Sequence, residues 1–344
     1  SEVILGSVSK GWLHREGGFT FPREYYFDPV FHRERDSEIE SFLARRFPEI
    51  PVYNMESNLV QPDYLPPAPL YIGGIQPNLI LGALLGAEFV IPEGADSDIT
   101  VKPLAGFSSS AALPEPEELL SHPLIREFDA QIDRFRAGAS AEAGSAAATG
   151  STAEQIIPPF FWDRSGRATI HGYITTSFKF AGEDIFVQAF EKPELVAELH
   201  RWISDAYIGL IRHFAVKAEL PLTGIHIGEC TGAMISAEQF EQLVFPYADA
   251  AGKAFGAVRF HSCGQSDHLI EPISRITNLH SVDTGSYTSV QKIREVLGGN
   301  FLIENAPPAQ LLMAASPPEA IRTWLRQTVE DNGGGPLNIG YHFE

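Results

Sequence analysis

The sequence AVRFHSCG, residues 257–264, is an apolar run that ends with a histidine and a cysteine two positions apart. If the run is a strand, its two-residue period sends His261 and Cys263 to the same side. An imidazole and a thiolate on one side of a strand can share one small cation, and zinc fits this donor pair best. The stretch therefore predicts a strand that ends in two metal ligands.

Strands and helices alternate on both sides of this stretch. Strands are predicted at 87–91, 168–175, 224–230, 257–263, 279–283, 300–305 and 336–342. Helices are predicted at 115–136, 183–217, 236–255, 266–277, 287–297 and 317–331. Ser236 and Gln239 have the spacing of a capping box at the start of one of them. Alternation of this kind indicates βαβ units around a parallel sheet.

Polar residues stand at the ends of the later strands. They are Glu229, Cys230, His261, Cys263, Asp283, Glu304, Asn305 and His342. In a (β/α)₈ barrel the carboxyl ends of all strands meet on one face, where active sites lie. No glycine-rich phosphate loop follows an early strand, so no nucleotide cofactor is expected. The sequence predicts a (β/α)₈ TIM barrel with its site on that face.

The remaining segments are read as additions to one domain that spans residues 1–344. Residues 1–70, rich in aromatic, proline and charged residues, are expected to form an N-terminal extension over the barrel. Residues 137–152, AGASAEAGSAAATGST, are small and low in complexity, and cannot bury enough apolar surface to offset their ordering entropy. A mobile surface loop is predicted there.

Composition limits the classes of partner. The net charge of −19 disfavours nucleic acid, whose binding requires a basic surface. No run of 18 apolar residues or signal-like start occurs, so a cytoplasmic protein without membrane contact is expected. Two cysteines, Cys230 and Cys263, are too few for a disulfide framework. A disulfide between them is an alternative that a reducing cytoplasm disfavours.

Three stretches give the chain a family resemblance: TGAMISAEQFEQLVFPYADAAG (231–252), FLIENAPPAQLL (301–312) and PLNIGYHF (336–343). They resemble the uroporphyrinogen decarboxylase superfamily of (β/α)₈ barrels, which also contains corrinoid-linked and cobalamin-independent methyltransferases. A thinner similarity lies at 80–105, where LLGAEFVIPEGADSDITVKPL is similar to the second barrel segment of the family. The resemblance implies the barrel fold, but function differs between the branches of the superfamily.

The decarboxylase branch uses no metal and holds an acidic tetrapyrrole with basic N-terminal residues and an aspartate in the first barrel segment. Here Phe21-Pro22-Arg23-Glu24-Tyr25-Tyr26 stands in place of the arginine-rich motif, and Pro77-Asn78 stands where the aspartate belongs. The resemblance gives Arg23, Asn78, Asn305 and His342 as candidate substrate-binding residues. Because an asparagine brings no negative charge, decarboxylation of uroporphyrinogen is the weaker alternative.

The methyltransferase branch has a zinc site that begins with His-x-Cys at a strand end, and His261 and Cys263 match it. The last ligand of that branch is a late cysteine, but no cysteine follows Cys263. Cys230 is the first choice for the missing ligand, because it ends the strand before His261 and would lie beside it in the barrel. Glu229 is the second choice, and only one of the two is expected to face the site, since adjacent strand residues point opposite ways. Glu304 and His342 are further candidates for it.

The leading hypothesis is a zinc-dependent methyltransferase that moves a methyl group between a corrinoid and a thiol. Glu304 and Asp283 are expected to assist as general acid or base groups. The corrinoid would be carried by a separate partner protein, and a homodimer is a further expected assembly. A metal-free decarboxylase and a non-catalytic binding barrel are the alternatives. His171 and His226 are expected to be structural.

Overall fold

The computed structural model describes residues 2–50, 52–54, 69–143, 156–313 and 315–343. Its strands are β1 (Glu2–Val8), β2 (Val52–Asn54), β3 (Leu70–Tyr71), β4 (Phe89–Val90), β5 (Asp98–Ile99), β6 (Ile156–Ile157), β7 (Arg167–His171), β8 (Gly224–Gly228), β9 (Ala257–Ser262), β10 (Leu279–Thr284), β11 (Leu302–Asn305) and β12 (Leu337–Phe343).

The helices lie between these strands. They are α1 (Lys10–Gly17), α2 (Arg23–Phe27), α3 (Pro29–Arg46), α4 (Pro77–Leu84), α5 (Pro123–Ala143), α6 (Tyr173–Ala181), α7 (Asp184–Glu191), α8 (Pro193–Ala218), α9 (Ala237–Leu243), α10 (Phe245–Phe255), α11 (Ile270–Ser274), α12 (Val290–Leu297) and α13 (Pro318–Asn332). No helix of the described ranges is long and apolar enough to cross a membrane.

Eight parallel strands form the central sheet, in the order β2-β1-β12-β11-β10-β9-β8-β7. With the helices that connect them they form the expected (β/α)₈ barrel. Neighbouring strands from β7 to β12 are consecutive in the chain, which is the topology that a βαβ repeat produces. All of their carboxyl ends therefore open on the same face of the barrel.

The two faces of β9 differ in chemistry. Val258 and Phe260 are buried, and Phe260 packs edge-on against Phe240 of α9. Arg259 and His261 alternate with them and are partly exposed. The apolar side therefore faces the helical layer, and the polar side faces the interior of the barrel.

Helix α8 shows how the helical layer forms. Its buried residues include Leu199, Ile203, Leu210 and Phe214, which recur at intervals of about one or two helical turns. This stripe packs toward α6, α7 and α10. Pro193 occupies the first turn, where its missing N–H costs no hydrogen bond.

Part of the N-terminal segment belongs to the central sheet itself. Strand β1 lies inside the central sheet, where it pairs in parallel with β12 on one side and β2 on the other. The prediction that residues 1–70 lie over the barrel is therefore wrong for this strand. Local periodicity could not show this, because the partner strand β12 lies at the opposite end of the sequence.

Several predicted boundaries also differ. The strand expected at 87–91 is reduced to β4, which pairs antiparallel with β5 outside the central sheet. The helix expected at 236–255 is two helices, because Pro246 lacks the N–H that a continuous helix requires. The predicted capping box of Ser236 and Gln239 is confirmed. Residues 137–143 of the predicted loop continue α5, and residues 144–152 lie outside the described residues.

Candidate metal centre

Three potential ligands meet at the carboxyl ends of β8 and β9. The ligand atoms of Cys230, His261 and Cys263 all lie within 4.8 Å of one another. Both thiols are exposed, so the cluster is open to solvent. Ser262, between the two β9 ligands, points the other way and bonds Ser266, as the two-residue period requires.

Close packing between loops fixes the position of Cys263. Gly285, which follows β10, lies so near the Cys263 backbone that a Cβ at residue 285 would collide with the Cys263 carbonyl group. A Cβ at Gly264 would lie 2.5 Å from the Cβ of Ala233, in the 3₁₀ turn Cys230–Met234. The loops after β8, β9 and β10 therefore touch one another, and glycine is the residue that permits this approach.

Hydrogen bonds set the charge state of the ligands. Burial by itself lowers the pKa of His261, but the charge of Asp283 and their hydrogen bond outweigh it and raise that pKa to about 9. Hydrogen bonds from Cys230 and from His261 lower the pKa of Cys263 to about 4. The hydrogen bond to Cys263 raises the pKa of Cys230, which thus acts as the donor. The metal-free cluster is therefore a thiolate–imidazolium pair with a neighbouring thiol.

An ion network inside the barrel supports His261. The His261 Nδ1 atom is 2.6 Å from Asp283 Oδ2, and the same carboxylate accepts a hydrogen bond from Arg259 Nη2 at 2.8 Å. Arg259 also donates to Glu304, from Nε at 2.6 Å and from Nη2 at 3.0 Å. Register explains the meeting, since His261, Asp283 and Glu304 are paired neighbours on β9, β10 and β11.

Histidine 226 completes the network on the β8 side. Its Nδ1 accepts a hydrogen bond from Arg259 Nη1 at 2.8 Å, and Trp162 packs edge-on against its ring. Burial and the Arg259 charge lower the pKa of His226 well below its usual value. His226 is therefore a neutral, satisfied residue, as expected from sequence.

Asp283 and Glu304, the predicted acid–base residues, are both held by Arg259, and their catalytic roles stay predictions. Burial raises the pKa of Asp283, but Arg259 and His261 together hold it well below its usual range. Asp283 thus stays ionised and orients the His261 ring, as the carboxylate partners of metal-binding histidines do. Glu304 is paired with Arg259 and has no contact with the three ligands in the described structure.

Glu229 does not join the cluster. Its side chain is fully buried and turns toward α6, where it accepts hydrogen bonds from Thr175 N at 2.9 Å and Thr175 Oγ1 at 2.7 Å. Burial raises the pKa of Glu229 to about 7, against the opposing effect of these bonds. Of the two neighbours proposed as the third ligand, the structure thus brings Cys230 to the site and turns Glu229 away.

Two predicted substrate-binding residues lie at strand ends. The side chain of Asn305 is buried, and its amide donates to the Thr284 hydroxyl at 3.1 Å, which joins β10 to β11 instead of facing a cleft. The amide nitrogen is thus used within the sheet, and the role of Asn305 in substrate binding stays a prediction. The backbone of His342 lies in β12, but its side chain lies outside the described residues, so its role stays a prediction.

The other two lie nearer the N-terminus. Arg23 is exposed and stacks on Phe27, with its guanidinium 4.3 Å from the ring centroid. Asn78 is buried in the first turn of α4, and its Oδ1 has no hydrogen-bond partner among the described residues. No described contact brings either residue to the metal-ligand cluster, and their roles in substrate binding stay predictions.

Sequence reasoning missed two polar residues of this region, Arg259 and Thr175. Arg259 could have been found, because it precedes His261 by two residues and so shares its face of β9. Thr175 carries no such signal. His171 was expected to be structural, yet its Nδ1 is buried with no partner among the described residues, and burial lowers its pKa to about 4.

Comparison with known proteins agrees with this fold. The uroporphyrinogen decarboxylase (URO-D) family matches residues 169–340, half of the chain. Among solved structures, a methyltransferase from Methanosarcina mazei is similar, with 13% identity, a TM-score of 0.58, and an alignment covering 98% of this chain and 88% of that one. At this identity the likeness concerns the fold. The curated proteins contain no match to the chain.

Proposed function

The chain belongs to the uroporphyrinogen decarboxylase family, and from that premise we propose that it is a zinc-dependent methyltransferase. In this proposal a methyl group moves between a corrinoid, or another methyl donor, and a thiol acceptor. The family and the methyltransferase from Methanosarcina mazei that shares the fold indicate an enzyme. The single observation that carries the choice of reaction is the convergence of Cys230, His261 and Cys263.

The donor set suits zinc. Two sulfurs and one imidazole nitrogen are ligands that Zn²⁺ prefers, and three protein ligands leave a fourth position for substrate, as catalytic zinc sites require. The exposure of both thiols supports access to that position. When bound, zinc supplies the Lewis acidity that keeps a coordinated thiol ionised near neutral pH.

The surrounding residues have defined tasks in this proposal. Cys230, His261 and Cys263 hold the metal on one side and leave the solvent side for the acceptor thiol. Asp283 accepts a hydrogen bond from the Nδ1–H of His261, so that Nε2 is the nitrogen left to bind the metal. Arg259 holds Asp283 in place and balances its charge. The methyl donor would be carried by a separate corrinoid protein at the same barrel face.

Metal analysis of the purified protein tests the proposal. We expect about one zinc per chain after preparation with zinc, and less than about a tenth of that in Cys263→Ser and His261→Ala. His280→Ala, at an exposed histidine of β10, is the matched control and should retain the metal. A wild-type chain that holds no zinc would contradict the proposal.

An activity assay then identifies the reaction. With a methylated corrinoid and a panel of small thiols, the wild-type protein should form thioether, and Cys263→Ser should not. Loss of the thiol-dependent reaction after chelation, with recovery on adding zinc, is the expected pattern. No turnover with any thiol, in protein that holds zinc, would argue for a non-catalytic binding barrel.

Metal-free decarboxylation of a porphyrinogen or a smaller carboxylated ring is the second candidate. The description of the matching family favours it. It predicts release of CO₂ in the presence of a chelator and an unchanged rate in His261→Ala. Chelation and the His261→Ala variant therefore separate the candidates, since only the methyltransferase depends on the cluster.

A further inference from the structure

We propose that Thr175 is the positioning residue that turns Cys230 into the metal-ligand cluster. The inference rests on the proposed metal site and deepens it, because Cys230 does not lie on a regular strand. It is the first residue of the 3₁₀ turn that follows Glu229, where the two-residue alternation of β8 has ended. Something other than strand geometry must therefore set the direction of its side chain.

Thr175 binds both neighbours of Cys230. Its Oγ1 donates to Glu229 Oε1 at 2.7 Å and accepts from the backbone N–H of Thr231 at 3.0 Å. Its own backbone N–H donates to Glu229 Oε1 at 2.9 Å. One threonine on the first turn of α6 thus holds the residue before and the residue after the thiol.

The backbone of Glu229 ties the same turn to the opposite strand. Its N–H donates to the carbonyl of His261 at 2.8 Å, so the turn is anchored to β9 on one side and to α6 on the other. Thr175 holds the Glu229 side chain and the Thr231 N–H, so the residue between them is fixed at both ends and its side chain faces the cluster. That side chain is Cys230.

The slot that holds Glu229 is shaped for it. A Cβ at Gly172 would collide with the Glu229 carboxylate, and a Cβ at Gly232 would lie 2.8 Å from Glu229 Cγ. The carboxylate also lies at the N-terminus of α6, where backbone N–H groups and the helix dipole favour a negative group. Thr175 supplies a side-chain hydroxyl to these contacts, and the same hydroxyl accepts from the Thr231 N–H.

Replacement of Thr175 by valine tests the inference. Valine keeps the shape but removes the hydroxyl, so the Thr231 N–H loses its acceptor and Glu229 Oε1 loses one of its two donors. We expect zinc affinity, measured by competition with a chelating dye, to fall about 10- to 100-fold, the range found for lost supporting contacts around metal ligands. Thr175→Ser, which restores the hydroxyl, should remain within about threefold of wild type.

Thr176→Val is the matched control. Thr176 is the next residue of the same helix and is buried, but its hydroxyl bonds the His171 carbonyl and the Tyr207 hydroxyl, not the Cys230 turn. A merely structural role for the α6 threonines would lower stability in both variants alike, whereas positioning lowers zinc affinity in Thr175→Val alone. Thr175→Ala, which introduces no new methyl group, provides a second variant should valine impair folding.

A metal-independent measurement separates this inference from the proposed function. The rate at which iodoacetamide alkylates Cys230 in metal-free protein, resolved by peptide mass spectrometry, should rise several-fold in Thr175→Val and return with Thr175→Ser. If the wild-type chain binds no zinc, the proposed function fails and this rate still decides the inference. Equal zinc affinity in Thr175→Val and Thr176→Val would overturn the inference. If the wild-type chain binds no zinc, equal alkylation rates of Cys230 in the two variants would overturn it.

Discussion

Asp283 lies between two cations, the Arg259 guanidinium and the His261 ring, and accepts a hydrogen bond from each. The same carboxylate thereby stays ionised, raises the basicity of His261 and fixes the ring's orientation. At the residue scale, the role of each group follows from its partner and not from its own type. A carboxylate at a strand end becomes an orienting group when an arginine neutralises it.

Asp283→Asn tests that role. Asparagine keeps the shape but removes the charge, so it can accept the His261 hydrogen bond only weakly and leaves Arg259 without one of its partners. We expect zinc affinity to fall about 10- to 100-fold in a competition titration. Asp249→Asn, which removes an ion pair with Lys253 on α10, is the control and should not change the affinity. Equal affinity in Asp283→Asn and wild type would contradict the assigned role.

At the scale of elements, the barrel uses its glycines in two different ways. Gly285 is required where the β10 loop crosses the Cys263 backbone, whereas a Cβ at Gly209, in the middle of α8, would meet no atom within 4 Å. The first position needs glycine for close approach of two backbones, and the second does not. Substitution by alanine is therefore expected to change the stability of the protein in opposite directions at the two sites.

Gly209→Ala should stabilise the protein by about 0.5–1 kcal/mol, because alanine has the higher helix propensity and reduces the freedom of the unfolded chain. Gly285→Ala should destabilise it by about 1–3 kcal/mol, as overpacking does, and should weaken zinc binding through displacement of Cys263. Urea unfolding and zinc titration of both variants provide the comparison. Stabilisation by Gly285→Ala would contradict the close approach of the Gly285 and Cys263 backbones in the structure.

His200 connects two helices and makes stability depend on pH. It is fully buried on α8, and its Nδ1 donates to the Leu243 carbonyl at the end of α9. Burial lowers the pKa of His200 from 6.5 to about 4, against the smaller opposing effect of that hydrogen bond. The folded chain therefore keeps this ring neutral at a pH where the unfolded chain protonates it.

The sign follows from proton binding. Between pH 6.5 and 4 the unfolded state binds the extra proton, so the free energy of unfolding falls as pH falls, by about 1.4 kcal/mol per pH unit for one group; above pH 6.5 this contribution is complete. Urea unfolding of metal-free protein at pH 7, 6 and 5 should show a smaller pH dependence in His200→Gln than in wild type. His280→Gln, at an exposed site, should leave the dependence unchanged.

At the scale of the whole molecule, the barrel brings residues that are far apart in the sequence into contact at the strand ends. Residues 175, 230, 261, 283 and 304 span most of the second half of the chain, yet they form one connected set of contacts at the strand ends. A ligand held there bridges β8 and β9 within the continuous central sheet. Binding should therefore stabilise the folded protein as a unit.

Zinc should raise the temperature of unfolding. At a free zinc concentration about 100 times the dissociation constant, the expected gain is about 2.7 kcal/mol, provided that the unfolded chain binds zinc weakly. Differential scanning calorimetry with and without zinc measures it, and Cys230→Ser should show little or no shift. An unfolding temperature of the wild-type protein that does not change at saturating zinc would contradict the proposed metal site.

The sequence alone determined the architecture and placed His261 and Cys263, two of the three residues of the cluster, together at one strand end. Alternation of strands and helices is a local pattern, and so is the two-residue period that places His261 and Cys263 on one side of β9. The resemblance to the family is confirmed. These predictions do not depend on which strands become neighbours in the sheet.

Only the tertiary structure decided the rest. The choice of Cys230 over Glu229 depends on a turn held by Thr175, a residue on a distant helix, and the pairing of Asp283 with His261 depends on the register between β9 and β10. Asn305 turned into the sheet for the same reason. Local periodicity fixes which side of its own strand a residue occupies, but the partner it meets is set by register and loop conformation, which arise from packing across the whole barrel.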